Sequence, residues 1–323
     1  MIEVEQRRLL LLSGRAHPSL AREIAGCLDV KLGKIELGNF ANREISCRLN
    51  ESVRGCDVFI IQSHSGKVND AIIEQALVID AAKRASATSV TAVCPFLGYA
   101  RQDRKSDGRE PIAAKLIVDI LAKAGADRII TVDLHSGQTQ GFFDGPFDHL
   151  IARPTLLDYV QKNFKDNLVV VSPDAGRVKM AERYSTILNC GMAIIHKHRS
   201  TKKHNAVEAK YLIGNVKGKN CVIIDDMIDT AGTICAAADL LREKGAKKIY
   251  GLATHGLFSG NAIKSIEKSS FNKVVVTNTL PQRPSYKNTK IEVVSIAKLI
   301  ADAIAAVFAG SSVSAIFDGQ NQI

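Results

Sequence analysis

Short apolar runs alternate with amphipathic stretches along almost the whole chain, a pattern that predicts βαβ units around parallel sheets. Strands are expected at 8–13, 57–61, 89–94 and 128–132, then at 168–171, 192–196, 220–224, 248–254 and 273–277. Helices are expected at 17–28, 69–85, 110–124, 153–163, 175–188, 232–244 and 261–269. Several close on a glycine beside a cation, as in Arg242-Glu-Lys-Gly245, which suits a helix C-terminus. A last amphipathic helix over 296–309 precedes a polar tail and is expected to pack back on the N-terminal half.

A loop rich in Gly, Phe, Asp and Pro gives way to a new helix near 150–154, so two domains are expected, 1–152 and 153–323. A weak internal echo points the same way. Residues 129–141 run from an apolar strand into an acid and then a polar, glycine-containing loop, and residues 222–233 repeat that order. Two similar α/β domains would produce the echo, each with a mainly parallel central sheet, flanking helices and a site at a strand's carboxyl end.

Composition narrows the classes. The 323 residues suffice for about two domains at roughly 150 residues each. Hydrophobic residues make up 46% and charged residues 24%, an ordinary globular balance that argues against disorder as the main state. No apolar run is long enough to span a bilayer. Glu3, Glu5, Arg7 and Arg8 ahead of a short apolar run read as the approach to a first strand, not as a signal peptide. The expectation is a cytoplasmic protein with no membrane partner. Seven cysteines, an odd number without a CxxC, read as buried reduced thiols. The net charge of +10 suits either nucleic acid or phosphorylated metabolites. With no tryptophan and 5% aromatics there is little to stack bases on, so phosphate ligands are the better fit and nucleic acid is not expected.

The sharpest chemical feature is Val222-Ile-Ile-Asp-Asp-Met-Ile-Asp-Thr-Ala-Gly-Thr233. An apolar strand is expected to end in Asp225 and Asp226, and a loop of Asp229, Thr230, Ala231, Gly232 and Thr233 then opens a helix near Ile234. Loop amides, two hydroxyls and a positive helix end suit a phosphate monoester. The two aspartates can accept hydrogen bonds from vicinal ribose hydroxyls. An acidic N-cap on an ordinary turn is the bland alternative.

This loop resembles the phosphoribosyl-diphosphate loop of the phosphoribosyltransferase fold. Further segments resemble the ribose-phosphate diphosphokinase family over about 9–317: Asn39-Phe-Ala-Asn-Arg-Glu44, Glu51-Ser-Val-Arg-Gly55, Pro95-Phe-Leu-Gly-Tyr-Ala-Arg-Gln-Asp103, Val132-Asp-Leu-His-Ser136, Ser172-Pro-Asp-Ala-Gly176 and Val276-Thr-Asn-Thr279. The resemblance implies transfer of the β,γ-diphosphoryl group of ATP to O1 of ribose 5-phosphate, releasing AMP, for nucleotide biosynthesis. It implies ATP contacts at Phe40, Asn42, Arg43, Glu44, Arg101 and Gln102, and ribose 5-phosphate contacts at Arg199 and the 225–233 loop. Mg2+, with Mn2+ as a substitute, is implied at His135 and Asp174 with Asp133 in support. Imidazole is an uncommon magnesium ligand, so His135 either binds the metal or serves as a hydrogen-bonding or phosphate-contacting group.

The basic run His196-Lys-His-Arg-Ser-Thr-Lys-Lys-His-Asn205 resembles the family's catalytic loop, with Lys197 and Arg199 as its catalytic cations. His198 stands where the family often has Glu. The phosphate-activated class of the family further implies an allosteric anion site at Ser52, Arg54, Ser86, Ser312 and Ser314, inorganic phosphate as activator, and a homo-oligomer, a hexamer built from dimers. Taken singly, these serines suit ordinary turns. The rivals are a phosphoribosyltransferase, which would not need the 40–44 and 101–102 segments, a catalytically silent regulatory homologue, and a basic nucleic-acid binder.

Overall fold

The computed structural model describes residues 7–164, 167–198, 209–283 and 286–317; at Lys197, His198, Ala209 and Lys210 it describes the backbone alone. The chain divides into two compact units. The first comprises Met1–Ile151, Thr279–Pro281 and Ser295–Ile323, and the second Ala152–Asn278 and Gln282–Val294.

The first unit contains β1 (Arg8–Ser13), α1 (Pro18–Cys27), β2 (Ile35–Asn39), β3 (Ile45–Leu49), β4 (Cys56–Ile61), α2 (Val68–Arg84), β5 (Ser89–Cys94), α3 (Ala113–Ala124), β6 (Arg128–Val132) and β7 (Phe147–Leu150). Its main sheet has the order β1-β4-β5-β6-β7 and is parallel throughout. All six residues of β4 are buried, the apolar Val58–Ile61 run because it is covered on both faces and Asp57 beside Arg7, whose Nε donates to its Oδ2 at 2.8 Å. Strands β2 and β3 form a separate antiparallel hairpin. The final helix, α8 (Ala297–Phe308), lies against α1, and Ser295 Oγ donates to Glu23 Oε2 at 2.6 Å.

The second unit contains α4 (Arg153–Asn163), β8 (Leu168–Ser172), α5 (Val178–Ile187), β9 (Gly191–His198), β10 (Ala209–Ile213), β11 (Asn220–Ile228), α6 (Gly232–Glu243), β12 (Lys248–Gly256), α7 (Ala262–Lys268), β13 (Lys273–Thr277) and β14 (Ile291–Val294). The sheet order is β10-β9-β8-β11-β12-β13-β14, and only β10 is antiparallel. From β8 the chain first builds outward to β9, then returns to lay β11 on the other flank of β8. The strand order therefore reverses between β8 and β11. In open α/β sheets the crevice beyond the carboxyl ends of such strands is where ligands bind.

The structure differs from the sequence reading in several places. Strand β11 runs on to Ile228, so Asp225 and Asp226 lie inside it and do not end it. Strand β9 runs two residues past its expected end and takes in Lys197 and His198, because β10 pairs with it that far. Helix α6 begins at Gly232, as the 232–244 pattern predicts, so Gly232 and Thr233 belong to its first turn and not to the loop before it. Helix α3 starts only at Ala113, since Glu110 turns back to accept the amides of Ser106 and Asp107 at 2.8 and 3.0 Å. Of the cysteines, Cys56, Cys94, Cys221 and Cys235 are buried, but Cys27 is exposed and Cys47 and Cys190 are half-buried. Among the described residues no helix is long and apolar enough to cross a membrane.

Candidate active site

At the point of strand reversal in the second unit, the ends of β8 and β11 are joined by one arginine. Arg177 Nε lies 3.1 Å from Asp225 Oδ1, and its Nη2 lies 2.7 Å from Asp226 Oδ1. Asp226 is only 2% exposed, so its charge needs this partner. The ladder with β12 pairs Asp225 with Ala253 and Met227 with His255 but skips Asp226, whose amide donates to Asp225 Oδ1 at 2.9 Å. Burial, reinforced by the adjacent Asp226 carboxyl, raises the Asp225 carboxyl well above the usual carboxylate range, against the pull of Arg177.

Beyond β11 the chain is tied down before it turns: the amides of Leu257 and Phe258 donate to Ile228 O, and that of Ser259 donates to Asp229 O at 3.0 Å. Ala231 then takes the left-handed conformation (φ 63°), unusual for a residue with a Cβ. It occupies the N-cap of α6 and has no side chain with which to cap. The Ala231 methyl makes no cap bond, and α6 opens beside the exposed Thr230, Gly232 and Thr233. Such a helix start suits an anion.

Asp174 follows β8. Its Oδ1 accepts the Gly176 amide at 2.9 Å, capping the short 3-10 turn that delivers Arg177. Strand β9 brings Lys197 opposite Lys210 on β10; its side chain and all of Arg199 lie outside the described residues.

In the first unit, Phe40, Asn42, Arg43 and Glu44 form the tip of the β2–β3 hairpin. Phe40 is 60% exposed. The turn is closed by the Phe40 amide donating to Glu44 O (2.8 Å), the Arg43 amide donating to Phe40 O (2.9 Å), and Asn39 Nδ2 donating to Arg43 O (3.0 Å). Arg43 carries the left-handed conformation that the turn needs (φ 73°). Arg101 and Gln102 are exposed and follow Tyr99, also left-handed (φ 62°). The Gln102 amide donates to Tyr99 O at 2.9 Å.

Asp133 and His135 follow β6. Asp133 is buried, its amide donating to Leu150 O at 2.9 Å, and the Leu134 amide donates to Nε2 of the buried His149 at 2.8 Å. His135 and Asp174 belong to different units, and no group of three His, Cys, Asp or Glu side chains that could hold a metal occurs among the described residues. Of the residues expected at an anion site, the loop bearing Ser52 and Arg54 meets Ser86, since the Gly55 amide donates to Ser86 O at 3.2 Å. Ser312 and Ser314 lie at the 3-10 turn after α8.

The model of the N-terminal domain of ribose phosphate pyrophosphokinase matches residues 9–125, and that of the phosphoribosyl synthetase-associated domain matches residues 208–318. The chain belongs to the ribose-phosphate pyrophosphokinase family. Ribose-phosphate pyrophosphokinases of Streptomyces avermitilis and Bifidobacterium longum are 51% and 49% identical to it, over 98% and 97% of this chain and 98% and 93% of theirs. A crystal structure of phosphoribosylpyrophosphate synthetase from Mycobacterium smegmatis superposes with a TM-score of 0.89 at 48% identity, covering 94% of this chain and 100% of that one.

Against this family frame, the sequence reading overlooked Arg177. Two adjacent acids in an apolar strand signal that some cation must meet them, but the chain has too many arginines for spacing to choose one. It also overlooked His149, which reads as an ordinary histidine near a strand end.

Proposed function

We infer that the chain transfers the β,γ-diphosphoryl group of ATP to O1 of ribose 5-phosphate, giving 5-phosphoribosyl 1-diphosphate and AMP. Family membership supports the activity. The observation that supports its placement is the pairing of Arg177 with Asp225 and Asp226 beside the start of α6. The α6 amides and the Thr230 and Thr233 hydroxyls take the 5-phosphate. Asp225 and Asp226 accept from the ribose hydroxyls, with Asp229, Ala231 and Gly232 completing the loop. A phosphate cradle alone would not read the sugar.

O1 is the nucleophile. The O1–Pβ bond forms, and the bond from Pβ to the oxygen bridging to Pα breaks, that oxygen leaving with AMP. Lys197 and Arg199 stabilise charge on the transferring group, as phosphoryl transfer demands, and Arg199 also contacts ribose 5-phosphate. Phe40 stacks on adenine while Asn42, Arg43 and Glu44 read its edge; Arg101 clamps phosphate oxygens, as a guanidinium does well, with Gln102 beside it.

The reaction implies Mg2+, or Mn2+ in its place. Asp174 offers a hard carboxylate already oriented by the Gly176 amide, the donor type that magnesium prefers. Asp174 and His135 would hold the ion, with Asp133 in support, and when bound it would neutralise phosphate charge. A homohexamer of cytoplasmic subunits, activated by inorganic phosphate through Ser52, Arg54, Ser86, Ser312 and Ser314, completes the proposal. The deciding test is a coupled assay for AMP. Formation that depends on ribose 5-phosphate supports the reading; AMP release without ribose 5-phosphate, or none at all, rejects it.

A further inference from the structure

We propose that His64 is a positioning residue for nucleotide binding, its buried ring holding the 95–102 segment so that Arg101 and Gln102 meet ATP. The inference rests on the reading of Arg101 and Gln102 as ATP contacts.

His64 follows β4, has no solvent exposure and grips the segment twice. Its backbone amide donates to Phe96 O at 3.0 Å, and its ring Nδ1 accepts the Gly98 amide at 3.0 Å. The other ring nitrogen, Nε2, lies 2.8 Å from Gln75 Oε1. Gln75 is itself fixed, because its Nε2 donates to Ile60 O (3.1 Å) and Val93 O (3.4 Å) on β4 and β5. Its oxygen must therefore face the ring. That places the imidazole proton on Nε2 and leaves the Nδ1 lone pair to accept from Gly98. Burial pushes the His64 ring down to about 4, so it is neutral near pH 7 and keeps that acceptor.

The fit at Gly98 is close. A Cβ there would stand 3.0 Å from both His64 Cβ and Val68 Cγ1, so the backbone rests against the histidine. From Gly98 the route to the ATP contacts is short and anchored. Tyr99 is left-handed and its hydroxyl donates to Asn69 Oδ1 at 2.6 Å. Gln102 O accepts the Ala114 amide at 3.1 Å. His64 thus links the sheet, through Gln75, to the segment that presents Arg101. It touches no reacting atom, and its role is geometric.

The test is steady-state kinetics on the full chain with Mg2+, varying each substrate separately. His64→Phe keeps a planar ring but loses the acceptor, and should raise the KM for ATP roughly tenfold, about the loss of one buried hydrogen bond. The KM for ribose 5-phosphate should not move. His64→Asn, whose Oδ1 can accept the Gly98 amide, should restore most of the ATP affinity; a purely volumetric role would favour Phe over Asn. Arg101→Ala is run alongside. If Arg101→Ala raises the ATP KM while His64→Phe leaves it unchanged, or raises both KM values alike, the inference is overturned and the ATP reading stands. An unchanged ATP KM in Arg101→Ala removes the ATP reading and the inference with it. Should His64→Phe fail to fold, Gly98→Ala pushes the segment off the ring by one methyl group; an ATP KM unaltered by that change also overturns the inference.

Discussion

Arg177 Nη2 stands 2.7 Å from Oδ1 of Asp226, a carboxylate almost wholly removed from solvent at the centre of a seven-stranded sheet. Removing the cation leaves that charge buried without its partner. Arg177→Met should therefore cost about 3 kcal/mol of stability, the usual scale for breaking a buried pair from one side. Urea denaturation reads the loss directly. The same variant should weaken ribose 5-phosphate more than ATP, and equal effects on both would detach Arg177 from the sugar site.

Asp225→Asn keeps the shape of the side chain but turns one of its two oxygens into an amide donor. Use of ribose 5-phosphate should fall by roughly tenfold, about the loss of one buried hydrogen bond. ATP affinity should hold. Separate KM measurements for the two substrates decide the matter, and parallel losses would assign Asp225 to the metal or the fold.

Lys197→Ala and Arg199→Ala probe the transition state. Groups that act there lower kcat, whereas groups that bind substrate uniformly raise KM. We expect kcat to drop by about a hundredfold or more with KM values little changed, as for loss of one preorganised charge-stabilising donor. Unchanged turnover with a raised KM would make these cations binding residues.

His64 also predicts a pH dependence of stability. Its folded-state value of about 4 lies below the ordinary 6.5, so between those values the unfolded chain binds the extra proton. The corresponding stability is complete above pH 6.5 and is lost progressively as pH falls toward 4. The gap is worth about 3 kcal/mol. Denaturation midpoints of the wild type should fall across that window, and His64→Asn should flatten this part of the curve. An equally steep curve in the variant would place the effect elsewhere.

The proposed anion site makes a regulatory prediction. Activity at fixed Mg2+ should rise with inorganic phosphate, and combining Arg54→Ala with Ser314→Ala should blunt that rise and any ADP inhibition not competitive with ATP. Full activity of the wild type without phosphate or sulfate would show that this chain lacks the site.

Much of this organisation is visible in the residue pattern. Strands β1, β5, β6 and β13 have the bounds that their apolar runs predict, because a fully buried parallel strand must be apolar on both faces and stops where polar turn residues begin. The hairpin of β2 and β3 is not visible in this way. Its strands do alternate, with Ile35, Leu37, Cys47 and Leu49 packed on the core and Glu36 and Arg48 exposed, but at five residues each they are too short to stand out, and they pair because the turn at Phe40–Arg43 closes. Strands β7 and β14 are four residues each at sheet edges, too short for a pattern to separate from loop.

The site divides along the same line. Asp225, Asp226 and the Thr230–Thr233 stretch stand out because acids and small polar residues directly after an apolar run are chemically conspicuous in one dimension. Arg177 is 48 residues from Asp225 in the chain, and His64 is 34 from Gly98. Neither has a local signature, since arginine commonly sits on surfaces and histidine commonly fills cores. Residue types and short-range periodicity set the strands, the helices and the phosphate loop. Which distant cation meets the acids, and which neutral ring holds the 95–102 segment, follows from the strand order of each sheet, because only folding brings a desolvated charge or a buried amide to a partner that can satisfy it.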